Sequence, residues 1–219
     1  MERCHPLREL VTTRCKIEAE VPELKNTIIY LIGIPAVGKY STAREIARRT
    51  GAKLVDNHLI NNPIFSVAHL DGTDRYPFPR GGWKYMGKIR RAVLGFIREF
   101  GAPDDSYIFT NVMGSDEIRA FRQIELLAKK RKALFVPVWL RCSAAELRRR
   151  KDTPQRRRMM KEIDTSNIRR WTKEFRELDV PHPNRLDIDT TRSSPARTAK
   201  TILDHIEERR RRAGGVRKI

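Results

Sequence analysis

The stretch GIPAVGKYS sets Gly33, Gly38 and Lys39 in the order G-x-x-x-x-G-K. Two glycines let consecutive backbone N–H groups turn inward around phosphate oxygens, a helix starting at the lysine adds its positive end, and the lysine reaches the terminal phosphates. Gly33, Pro35, Ala36, Val37, Gly38, Lys39, Tyr40 and Ser41 are therefore the candidate nucleotide-binding residues. Tyr40 stands where a Ser or Thr usually supplies a hydroxyl to Mg²⁺, so Ser41 is the nearest hydroxyl and any metal would be held largely through water and a carboxylate. That carboxylate is Asp56 in the run DNH: it would hold a metal-bound water or accept the proton of an attacking hydroxyl, with Asn57 and His58 contacting the acceptor. Capping of the next helix by Asp56 and Asn57 is a compatible alternative. Thr110 and Asn111 would touch a terminal phosphate or merely end a strand, and the acids Asp116 and Glu117 come later. Between Arg148 and Lys161 lie eight basic residues, of which two or three would act and the others face solvent.

The elements that must position these residues are legible from periodicity. Thr27 to Ile32 is a continuous apolar, β-branched run stopped by a glycine, which predicts a strand buried on both faces. Lys39 to Thr50 carries a helical stripe of Ala43, Ile46 and Ala47, and Gly51 ends it. Lys53 to Asp56 predicts a short strand and His58 to Leu70 a helix. The Gly-, Pro- and Asp-rich stretch Asp71 to Gly82 predicts a loop, whose Tyr76 and Phe78, with Trp83, either close over a substrate or pack beneath the turn. Helices follow over Trp83 to Phe100, Asp116 to Arg131, Ser143 to Arg150, Thr165 to Leu178 and Pro195 to about Arg209. Strands are expected over Ser106 to Met113, Ala133 to Leu140 and Arg185 to Asp189. Alternating strands and helices imply an α/β fold with a parallel sheet covered on both faces.

Taken in order, GIPAVGKYS, DNHL, IFTNVM, FVPVWLRCSAAELRRRKDTPQRRRMMKEID and HPNRLDIDTT with SSPARTAKTIL resemble the P-loop small-molecule kinases of the adenylate, shikimate and gluconate kinase group. The resemblance is strongest to bacterial shikimate-kinase-like proteins called AAA family ATPases. It covers about residues 27 to 206 and implies a P-loop NTPase fold with five parallel strands, a mobile lid over about 151–166, and ATP with Mg²⁺ as the phosphoryl source. It also implies that Arg150 stacks on adenine, that Arg156 and Lys161 reach the transferring phosphate from the lid, and that Thr190 to Pro195 flanks the base. Shikimate kinases carry two acids where this chain has Asp56 and His58, and the acid expected at the end of the third strand is missing. An ATP-dependent phosphotransferase acting on a small-molecule hydroxyl is the expected function, its catalytic residues Lys39, Asp56, Arg156 and Lys161.

Composition bounds this reading. The 219 residues suit one domain, preceded by an extension over 1–26 and followed by a basic tail over 207–219. No run of 18 apolar residues exists to span a bilayer, and Cys4, Cys15 and Cys142 fit reduced thiols in a cytoplasm. The net charge of +19 invites polyanion partners. Arg141 to Arg176 holds 13 basic against 5 acidic residues and the tail six against two, so 12 of the 19 surplus charges lie in these two segments. Triphosphate accounts for part of that charge. The tail leaves open a kinase directed at a polynucleotide 5′-hydroxyl or RNA, or a non-catalytic nucleotide- or nucleic-acid-binding protein. Neither the acceptor nor the oligomeric state follows from sequence.

Overall fold

A computed structural model describes residues 24–70, 78–79, 81–112, 118–166, 168–177 and 180–215. Most of the N-terminal extension with Cys4 and Cys15, Tyr76, the acids Asp116 and Glu117, and Arg217 with Lys218 in the tail lie outside the described residues. The strands are β1 Thr27–Ile32, β2 Lys53–Val55, β3 Tyr107–Asn111, β4 Leu134–Arg141 and β5 Leu186–Asp189. The helices are α1 Lys39–Thr50, α2 Asn57–Val67, α3 Trp83–Phe100, α4 Ile118–Arg131, α5 Ala144–Lys151, α6 Pro154–Arg158, α7 Ile168–Glu177 and α8 Pro195–Gly215.

The five strands form one sheet in the order β2-β3-β1-β4-β5, every neighbouring pair parallel. Ile29 lies beside Ile108 of β3 and Val136 of β4, which puts β1 at the centre. All six of its residues are buried, and because successive side chains leave opposite faces, helices must cover both sides. Phe121 of α4 reaches the sheet with its ring 5.9 Å from Tyr30, 5.8 Å from Trp139 and 5.5 Å from Phe135. These four aromatic residues are buried and form the thickest part of the core. Helix α1 packs on α8, and α3 packs on α4.

Most element boundaries shift by one to three residues from the sequence-based expectation, and three differences bear on the site or on the packing of the chain. The basic stretch after α5 contains α6, started by Pro154 in the first turn and by Thr153, whose hydroxyl accepts from the Arg156 N–H at 3.3 Å. Its five residues have no apolar stripe, so periodicity could not reveal it. β3 stops at Asn111 rather than Met113. Helix α8 continues past Arg209 to Gly215, and Arg210 on it donates to the Lys25 carbonyl and to Thr27 Oγ1 at the start of β1.

Candidate active site

At the carboxyl edge of the sheet, the loop leaving β1 folds back over its own end. A Cβ on Gly33 would lie 2.6 Å from the Leu140 carbonyl oxygen and 2.8 Å from Val37 Cγ2, so only glycine fits between β1 and β4 here. Ala36 at φ 71° and Gly38 at φ 101° adopt left-handed backbone, and the chain curls into a concave loop ahead of α1. Lys39 Nζ donates back to the Gly33 carbonyl at 2.6 Å and the Ile34 carbonyl at 2.9 Å, so its ammonium lies over the loop. Burial brings its pKa down to about 7, the cations Lys161 and Arg156 push the same way, and Asp56 opposes them. Pro35, Ala36, Gly38, Lys39, Tyr40 and Ser41 line a cleft of about 740 Å³. Val37 does not: its side chain is in the core, and its carbonyl accepts from Thr190 Oγ1 at 2.8 Å.

Asp56 leaves β2 at the same edge and is buried. Its Oδ1 accepts from Thr110 Oγ1 at 2.5 Å, and Thr110 Oγ1 in turn accepts from the Asn57 N–H at 3.2 Å. The helix start is therefore satisfied by Thr110, and the Asp56 side chain makes no cap hydrogen bond. This corrects the capping alternative and frees Asp56 Oδ2, which has no hydrogen-bond partner and lies 3.5 Å from Lys161 Nζ. Asn57 and Asn111 also line the cleft, Asn111 donating to the Tyr30 hydroxyl at 3.0 Å. His58 Nδ1 meets Asn62 Oδ1 at 3.0 Å, while Asn62 Nδ2 donates to the Met159 carbonyl at 3.4 Å. With the amide oxygen facing the ring, Nδ1 carries the proton and Nε2 is the acceptor. Burial, then Lys161, lowers the His58 pKa to about 4 against the opposing pull of Asp56, so the ring is neutral at ordinary pH.

Residues 151–166 lie across the loop. Lys161 sits 4.1 Å from the centre of the Tyr40 ring while facing Asp56, so the aromatic side chain that replaces the usual hydroxyl receives an ammonium on its face. Burial lowers the pKa of Lys161, and Asp56 opposes that shift. Arg156 lines the cleft and donates to the Lys151 carbonyl at 2.8 Å and to the Glu162 carbonyl, which ties the segment to itself. Arg150 pairs with Glu146 at 2.6 Å and donates to the Thr190 carbonyl at 2.9 Å. Through Thr190 it links α5, the loop after β5 and the Val37 carbonyl, and a Cβ on Gly38 would be 4.0 Å from its Nη1.

The candidate site residues from Gly33 to Lys161 thus gather at one sheet edge, Val37 and Gly33 contributing through backbone alone; Tyr76, Asp116 and Glu117 lie outside the described residues. Thr110, expected either to touch a terminal phosphate or to end a strand, instead bonds Asp56 and the Asn57 N–H, and sequence reasoning missed Asn61, Phe65 and Arg90, which line the cleft. Asn57, Asn61 and Phe65 recur every four residues along α2, a spacing that marks one helix face and was readable in advance.

No family model matches the chain, and the search of curated proteins returned no match. Solved structures do match. A thymidylate kinase from Candida albicans has a TM-score of 0.61 at 14% identity, covering 85% of this chain and 93% of that one. A shikimate kinase from Acinetobacter baumannii has a TM-score of 0.54 at 18% identity, covering 85% and 96%; a gluconokinase from Sinorhizobium meliloti 1021 has 0.54 at 15%, covering 85% and 94%. The chain has the P-loop kinase fold.

Proposed function

We propose that the protein is an ATP-dependent phosphotransferase acting on a hydroxyl of a small molecule. The observation that carries this reading is the convergence of Lys39, Lys161 and Arg156 on a left-handed phosphate loop beside the hydrogen-bond-free Oδ2 of Asp56. Three basic side chains lining one cleft with that loop suit a polyanion such as a triphosphate.

The loop amides and Lys39 hold the β- and γ-phosphates, Arg150 and the Thr190 loop flank the base, and the 151–166 segment acts as the lid. Asn57, His58 and Asn111 position the acceptor, its hydroxyl donating to Asp56 Oδ2 on approach. A bond then forms from that oxygen to the γ-phosphorus as the bond to the β–γ bridging oxygen breaks. The proton leaves to Asp56 Oδ2, and Lys161 and Arg156 offset charge on the transferred group. The residues present also fit Mg²⁺: Asp56 Oδ2 is a buried oxygen lacking a hydrogen bond, and Ser41 is exposed in the same cleft. These two would hold the ion through water, where it would neutralise phosphate charge.

Transfer of label from γ-³²P-ATP to a panel of hydroxyl compounds tests the reading. The expected result is product formation that Lys39→Ala abolishes together with ATP affinity; full turnover and affinity in that variant would refute it.

A further inference from the structure

Beyond Asp56 and His58 the cleft changes character. Phe65 from α2 stands nearly perpendicular to Phe78 and to Trp83, with interplanar angles of 84° and 86° and centroids at 5.9 and 6.4 Å. Phe78 and Trp83 are 4.9 Å apart, so three rings form one corner of the wall. Trp83 is 58% exposed, so part of its ring is open for a ligand to cover. One turn back along α2, Asn61 is only 6% exposed, and its Oδ1 has no hydrogen-bond partner. A buried acceptor of this kind is costly unless a ligand donates to it. Asn61 and the three rings line the same cleft as Asp56, His58 and Lys39, with Arg90 of α3 beside them.

Helical rise sets the scale: Asn61 is roughly 7 Å and Phe65 roughly 13 Å along α2 from Asp56. A molecule that reaches all three needs a planar body, a donor on that body and a spacer to its hydroxyl.

Resting on the phosphotransferase reading, we infer that the acceptor is an alcohol carried on a planar aromatic or heteroaromatic ring. The ring packs among Phe65, Phe78 and Trp83, an N–H or O–H of the ring donates to Asn61 Oδ1, and a saturated spacer brings the reacting hydroxyl to Asp56 and His58. A polyol acid has no apolar face with which to cover the rings, and its hydroxyls would lose water against them without replacement bonds. The closed balance is that of the proposed function: the acceptor oxygen gains the γ-phosphoryl group, ADP leaves, and the hydroxyl proton departs through Asp56.

The test uses the full chain, first binding ATP alone, then presented with thymidine, adenosine and tyrosol as ring alcohols, and with gluconate, glycerate and glycerol as ring-free acceptors. Phosphate transfer and tryptophan emission are both followed. Trp139 is fully buried in the core and Trp171 lines the cleft against Lys151, so entry of a ring alcohol into the corner is read as the part of the emission change that Trp83→Phe removes. At least one ring alcohol is expected to accept phosphate with a KM about ten-fold or more below the ring-free compounds. Asn61→Leu then raises that KM about ten-fold while kcat moves much less. Preferred transfer to a ring-free acceptor overturns the inference, as does ring-alcohol transfer with a KM that Asn61→Leu leaves in place. ATP binding without transfer to any ring alcohol overturns it too, yet leaves the kinase reading standing. Failure to bind ATP at all brings down both.

Discussion

Lys39 carries a proton that its surroundings make easy to lose. With its pKa at about 7 in the free protein, much of the side chain is neutral at pH 8, whereas phosphate oxygens beside it favour the ammonium. ATP binding at pH 8 is therefore expected to take up a proton, and affinity to fall as pH rises above 7. Calorimetric titrations in two buffers of different ionisation enthalpy read this directly, and identical heats would contradict it. The same shift acts on folding. Between about 7 and 10.5 the unfolded lysine holds a proton that the folded one does not, so this residue makes stability rise with pH across that window. His58 acts further down: between 6.5 and about 4 the unfolded ring takes up a proton that the folded ring refuses, and its contribution to stability falls as the solution is acidified. Asp56 is the third residue with a sharp expectation. Asp56→Asn keeps an oxygen for the Thr110 hydroxyl but removes the base, so kcat should drop by about 10²–10⁴-fold with the fold intact by circular dichroism.

Elements decide how well those residues are held. The phosphate loop depends on the close passage of Gly33 against β4, and Gly33→Ala would push on the Leu140 carbonyl. A loss of about 1–3 kcal/mol in chemical denaturation is expected, together with weakened nucleotide binding. The lid depends on an aromatic face: Tyr40→Phe should retain kcat, whereas Tyr40→Leu should lower it by roughly 2- to 30-fold through loss of the ammonium–ring contact. If the Phe variant falls as far as the Leu variant, the hydroxyl rather than the ring matters. Much of this level was readable in the chain. The period of Trp83 to Phe100 predicted the bounds of α3, and the phosphate loop stood out because its glycines answer to local backbone geometry. The Tyr40–Lys161 contact and the Thr110–Asp56 bond were not readable, since each joins residues distant in sequence through folding alone. The short helix α6 escaped because a run of arginines has no apolar period.

For the whole molecule, the surplus of +19 divides into charges with different duties. Lys39, Arg156 and Lys161 face the cleft. Arg149 and Arg157 pair with Glu146 and Asp152, and Arg210 is spent on the backbone at the start of β1. Arg210→Ala should therefore lower stability by about 1 kcal/mol, an effect visible in denaturant midpoints. Exposed arginines such as Arg148, Arg158 and Arg169 remain, and binding to DNA or RNA through them should weaken steeply as salt is raised; salt-independent binding would argue against a charge-driven contact. Among the described residues no helix is long and apolar enough to cross a membrane. The strand order has a temporal consequence as well. β1 is made early, yet its partners Tyr107 and Phe135 emerge from the ribosome much later. Until β4 is synthesised, the most apolar strand in the chain has an open edge, the kind of surface that chaperones shield. Because Leu140 walls in Gly33, a nascent chain ending before β4 lacks one wall of the phosphate loop.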